Sequence, residues 1–194
     1  MGLTYSFVLL LPQSEEQALF EHLSQAGRID ELPGIGTCLV LDFPLDELIL
    51  AYLEDLAETI NGDSLKSRLP LHKSEHREYF PDDITGRIGC IYLDKKQMPA
   101  TPYMYAKFTA ASSTMSRLFQ ASPSIRGWFL HLSSRLNATA AFLDLEEQGY
   151  EFIYRQGQPI TATLTEDLAL VQAAASDWQA IVPICQDYIK LFYV

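Results

Sequence analysis

Cysteine is scarce in this chain of 194 residues: only Cys38, Cys90 and Cys185, far apart and with no C-x-x-C. Each sits in an apolar run (T-C-L-V-L, G-C-I-Y-L, V-P-I-C-Q) and reads as a small buried hydrophobe. That reading excludes a disulfide framework and a thiolate zinc site, and it places the chain in a reducing, cytoplasmic compartment. Long apolar runs are lacking too. No stretch approaches the ~20 apolar residues of a membrane span. The run 7–11 follows an N-terminus without basic residues and is too short for a signal core. Phosphate cradles are missing: there is no P-loop, and Gly34-x-Gly36 precedes a predicted strand instead of following one, the wrong order for a dinucleotide fold. No G-x-S-x-G elbow exists to activate a serine.

The most telling scarcity is positive charge near the start. Residues 1–64 hold twelve acidic side chains against one basic residue, Arg28, while the remainder balances thirteen against thirteen. The net charge of −11 therefore belongs entirely to the first third. Such a field repels nucleic acid and anionic lipid and attracts a basic protein.

What is present is ordinary globular material. Hydrophobic residues make up 48% and charged residues 20%, enough apolar surface to build a core and too much for bulk disorder. Residues 4–11 read as a strand apolar on both faces, hence central. Ser14-Glu-Glu-Gln17 forms a capping-box pattern for a helix ending at Gly27. A turn at Gly34-Ile-Gly36 leads into a strand over 37–43. Residues 45–61 are the clearest helix: Leu45, Ile49, Tyr52, Leu53, Leu56 and Ile60 share one face at 100° per residue. Strands follow at 87–94 and 103–109. Helices begin at Ser112 and at Ser122-Pro123. A hairpin spans 140–145 and 150–155, and a short strand covers 160–164. The C-terminal part reads as helical, broken at Pro183. This order predicts an α+β fold, a mostly antiparallel sheet with helices packed on one face, as a single compact domain over 1–194. The polar stretch 62–86 is the one place where an acidic part (1–64) and a neutral part (87–194) would divide.

Few motifs carry chemistry. His72-Lys-Ser-Glu75-His76 matches the H-x-x-E-H order of inverted zinc peptidases. On a helix His72 and His76 would lie one turn apart and share a zinc, with Glu75 as general base and Glu146 or Glu147 as third ligand. Pro70 and Pro81 leave little room for that helix, and an exposed charged loop is the simpler reading. Ser112-Ser113-Thr114, with Arg117 and Arg126, would suit an anion at a helix N-terminus, but plain capping explains it better. His22 and His131 read as residues at the margins of amphipathic helices. The myristoylation pattern at Gly2 and the sequon at Asn137 are absorbed by a strand and by the lack of a secretory context.

The charge pattern on the second helix is harder to dismiss. Glu47, Glu54 and Glu58 fall on the face opposite the apolar stripe, Asp55 flanks them, and no lysine or arginine occurs within the helix. The leading expectation is a non-enzymatic, cofactor-free binding protein, for example a toxin-neutralising immunity protein. Its acidic surface would dock a basic protein partner through Glu47, Glu54, Asp55 and Glu58. Tyr52 and Tyr79 would anchor it, and Asp82 and Asp83 would extend the charge. The alternatives are a zinc hydrolase at His72 and His76, and an oligomeric subunit that buries its C-terminal apolar segment, residues 188–194, against another chain.

Overall fold

The computed structural model describes residues 2–61, 84–164 and 181–193, with 57–61 as backbone only. Those residues form an α+β fold: an eight-stranded antiparallel sheet with, among the described residues, five α-helices. The strands are β1 (Ser6–Pro12), β2 (Gly27–Leu32), β3 (Gly36–Pro44), β4 (Thr85–Gln97), β5 (Tyr103–Ala110), β6 (Ala140–Asp144), β7 (Tyr150–Arg155) and β8 (Gln158–Leu164). Their spatial order is β2-β3-β4-β5-β1-β6-β7-β8. The helices are α1 (Glu16–Ala26), α2 (Glu47–Asn61), α3 (Ser113–Ala121), α4 (Pro123–Arg135) and α5 (Val182–Phe192).

β1 lies between β5 and β6, and its side chains divide by the period of two that a pleated strand imposes. Phe7, Leu9 and Leu11 enter the main core, which α1 to α4 cover. Val8 and Leu10 enter a second core on the reverse face, with Tyr105, Phe142, Phe152, Cys185 and Tyr188. The sequence places all helices on one face; α5 is the exception and covers the other. Pro183 sits in the first turn of this helix, where the missing N–H costs no hydrogen bond; the preceding part of the expected helical region, 165–180, lies outside the described residues.

Phe129 of α4 centres the main core. Its ring stacks on Phe7 with centroids 4.1 Å apart and meets Phe108 and Trp128 edge-on at 5.1 and 5.0 Å. Phe43 and Phe119 complete the cluster.

Three local expectations are corrected. The capping box at Ser14 and Gln17 does not form: residues 13–15 make a short 3-10 turn and α1 starts without a side-chain cap. Gln17 instead bonds to Glu21 one turn on. Gly27 ends α1 as expected but also begins β2, a strand that the charged sequence G-R-I-D-E-L conceals. A Cβ on Gly27 would stand 2.0 Å from the Val40 carbonyl oxygen, so close strand approach requires glycine there. Finally, Cys38 and Cys90 are joined in a disulfide between β3 and β4, with Cα atoms 5.9 Å apart. Their apolar neighbours hide this pairing, because it depends on the register between strands 52 residues apart. The reducing compartment inferred from three free thiols loses its basis; Cys185 alone among the three is free, and it is buried. Among the described residues no helix is long and apolar enough to cross a membrane.

Candidate functional site

α2 is fixed by the residue just before it and by a glycine beneath it. The Asp46 carboxylate accepts the Ile49 N–H at 2.8 Å, capping α2. Its other oxygen accepts the Ser122 hydroxyl at 2.6 Å and the Ser124 N–H at 3.1 Å, at the start of α4. One carboxylate thus serves two helix N-termini, where dipoles favour negative charge. Burial alone would raise this carboxyl, but the Ser122, Ile49 and Ser124 hydrogen bonds outweigh it and hold the group below the ordinary 3.8. Gly86 of β4 lets the helix lie close: a Cβ there would meet Ile49 Cγ2 at 2.5 Å.

This seating turns the predicted apolar stripe inward, with two departures, at Glu54 and Leu56. Ile49 is buried, and Leu45, Tyr52 and Leu53 pack against the main core. Tyr52 faces inward, and burial raises its phenol. Glu54 is buried as well, at 9% exposure, so although it lies two turns from Glu47 on the same side of the helix it is not part of the exposed charge. The exposed residues among the described side chains of α2 are Glu47, Leu48, Ala51, Asp55 and Leu56. Leu48 and Leu56 are 43% and 40% exposed, which the simple apolar stripe does not anticipate for Leu56. The Glu58 side chain lies outside what the structure describes. So do Tyr79, Asp82 and Asp83, and the His72, Glu75 and His76 of the zinc reading.

The acidic third does not remain a uniform field in space. Lys95 of β4 reaches Glu16 at 2.6 Å while its ammonium lies 4.3 Å from the Phe20 ring centre. Arg87 makes a forked pair with Asp42 at 2.7 and 2.9 Å, which holds that carboxyl below its usual range. Arg28 pairs with Asp30, and Asn137 donates to Glu15. The Lys95–Glu16 and Arg87–Asp42 pairs thus join charges that lie far apart along the chain.

The reverse face holds a second polar cluster. Strand register aligns Asp94, Lys107, Val8 and Phe142 in one row, and Tyr92, Thr109, Ser6 and Asp144 in the next. Asp144 is buried under α5, and one of its oxygens accepts the phenols of Tyr188 and Tyr193, each at 2.7 Å. Lys107 donates to Tyr193 at 3.0 Å and lies over the Tyr193 ring. Burial lowers the Lys107 ammonium against the opposing pull of Asp144, Asp94 and Glu146. Burial likewise raises both phenols, and Asp144 beside them adds to the effect. Lys96 binds the Leu191 carbonyl, and the Tyr105 hydroxyl donates to the Ile184 carbonyl. These contacts fasten α5 to the sheet. Beside them, a shallow cavity of about 230 Å³ is lined by Ile35, Thr37, Tyr92, Leu93, Asp94 and Thr109.

The anion reading of residues 112–114 does not survive the geometry. Ser112 caps α3 through the Met115 N–H, and Ser113 accepts the Leu3 N–H. Among the described residues no group of three His, Cys, Asp or Glu side chains is placed to hold a metal ion. The chain matches no protein-family model, no curated protein and no solved structure.

Proposed function

We propose that this protein is a non-enzymatic binding protein that docks a basic protein partner on the outer face of α2. The observation that carries the reading is the pair of exposed leucines, Leu48 and Leu56, on the same helix as the exposed carboxylates Glu47 and Asp55. Carboxylates alone would be a wet helix face. Apolar side chains beside them, on a helix pinned at Asp46 and Gly86, form a rigid mixed surface of the kind protein partners bury. The partner class is a protein with a cationic, partly apolar surface, such as an enzyme that acts on a polyanion; toxin neutralisation is one biological form of this. The net charge of −11 would speed encounter and make it salt-sensitive. The Cys38–Cys90 disulfide favours a compartment where thiols oxidise over the cytoplasm.

The test is affinity capture of a basic protein at low salt by the wild-type chain and by Glu47→Lys/Asp55→Lys. The reading expects capture that falls as salt rises and is lost in the variant. Capture of equal strength by both proteins would remove α2 from the account.

A further inference from the structure

Asp94, on the reverse face of the sheet, is flanked by three lysines that are all bound elsewhere. It lies directly opposite Lys107 of β5, a register that ordinarily makes a cross-strand ion pair. Lys107 instead donates to the Tyr193 hydroxyl at 3.0 Å and lies 4.5 Å from the centre of that ring. Lys96 binds the Leu191 carbonyl and sits over the Phe192 ring. Lys95 reaches Glu16. α5 and α1 thus take the cations that surround this carboxylate, and Asp94 itself is exposed.

Asp94 also lines the cavity of about 230 Å³ beside α5. Tyr92 and Thr109 line it from the next row of the same face, and Ile35, 65% exposed in the turn between β2 and β3, belongs to its wall. Thr109 Oγ1 accepts the Ser6 hydroxyl at 3.0 Å and keeps a second lone pair. The polar equipment of the cavity is therefore rich in acceptors: a carboxylate, a hydroxyl oxygen, and a phenol with its π face. The charge count agrees. Asp144, Asp94 and Glu146 act on Lys107 against Lys96, so with Lys107 included three carboxylates meet two ammoniums. One further cation balances the cluster.

We propose that this cavity binds an alkylguanidinium group, free or at the end of an arginine side chain. The planar fork of a guanidinium pairs bidentately with a carboxylate such as Asp94. It is weakly hydrated and stacks on an aromatic face, which Tyr92 supplies, while its alkyl stem has Ile35 to lie against. A compact ammonium would give up more hydration for a single carboxylate. A divalent metal ion would lack ligands, because among the described residues no three His, Cys, Asp or Glu side chains are grouped. The volume falls below the ~300 Å³ at which ligand pockets usually begin, which suits a group of side-chain size. α2 packs on the main core, on the other face of the sheet, so the inference does not depend on the α2 docking reading.

Amide NMR shifts of the full chain, titrated with N-acetyl-arginine amide, test it. The amides of Tyr92, Asp94 and Thr109 should shift saturably, with a dissociation constant on the order of 1 mM. The citrulline analogue, similar in shape but uncharged, should leave them unmoved. Asp94→Asn should weaken binding by about tenfold or more with an unchanged circular dichroism spectrum, and should leave capture through α2 as it was. An arginine flanked by glycines in a short amidated peptide separates the two sources. Tighter binding than the single amino-acid amide assigns the group to a polypeptide, and equal binding assigns it to a free small molecule. The proposal is overturned by no saturable shift at these amides, by equal binding to wild type and Asp94→Asn, or by N-acetyl-lysine amide binding as tightly as the arginine compound.

Discussion

At the residue scale, two side chains carry far more than their own element. Asp46 holds α2 and α4 together by three hydrogen bonds. Asp46→Ala removes a helix cap and charge-assisted bonds, and should cost about 2–3 kcal/mol at neutral pH. The sign of the pH dependence follows from the lowered carboxyl. Its contribution is complete above the ordinary value of 3.8 and disappears as pH falls through the lower folded value. Urea unfolding of both proteins at pH 7 and at pH 3 should therefore show a gap that narrows in acid. Phe129 is the second such residue, in contact with five other rings. Phe129→Ala should destabilise by about 3–5 kcal/mol, read from the same denaturation experiment. Both residues sit in patterns visible in the sequence, a cap before a helix and an apolar helix face. Their partners, Ser122 and the four-helix side of the sheet, are set by the fold.

At the element scale, the disulfide between β3 and β4 closes a separation of 52 residues. By chain entropy such a link is worth about 4 kcal/mol, an upper figure when native strain is ignored. Thiol counting tests the pairing directly. A maleimide should label no cysteine in the native protein, one (Cys185) after denaturation alone, and three after denaturation with reduction. Cys185 is shielded under α5, and burial pushes its thiol up to about 12, so its native silence is expected. Two labels or more without reduction would contradict the disulfide. The elements themselves were largely legible: the strand periods of β1 and β5, the caps at Ser112 and Ser122, and the hairpin of β6 and β7 all follow local rules. β2 was not, because its alternation is masked by charges suited to an edge strand. Nor was the face that α5 covers, which depends on Val8 and Leu10 facing away from Phe7 and Leu9.

At the scale of the whole molecule, the sequence separates charge more sharply than the fold does. Lys95, Arg87 and Asn137 return from the second part of the chain to Glu16, Asp42 and Glu15. The helical wheel gives the face of α2 that packs: Leu45, Ile49, Tyr52 and Leu53 lie against the core, over the Gly86 floor and behind the Asp46 anchor. It does not give the burial of Glu54 or the exposure of Leu56, which differ from those of Glu47 and Ile49 one heptad earlier. What remains as a surface is local: Glu47, Leu48, Ala51, Asp55 and Leu56. The central claim is that this patch, rather than bulk charge, selects a basic partner. The most direct measurement compares Glu47→Lys/Asp55→Lys with Glu21→Lys/Glu31→Lys, whose exposed carboxylates lie on α1 and β2 and whose net-charge change is the same. With the captured partner at low salt, the account predicts that the α2 pair loses binding while the α1 and β2 pair slows association only modestly. Equal losses in the two variants would show that overall charge does the work and would contradict the α2 site.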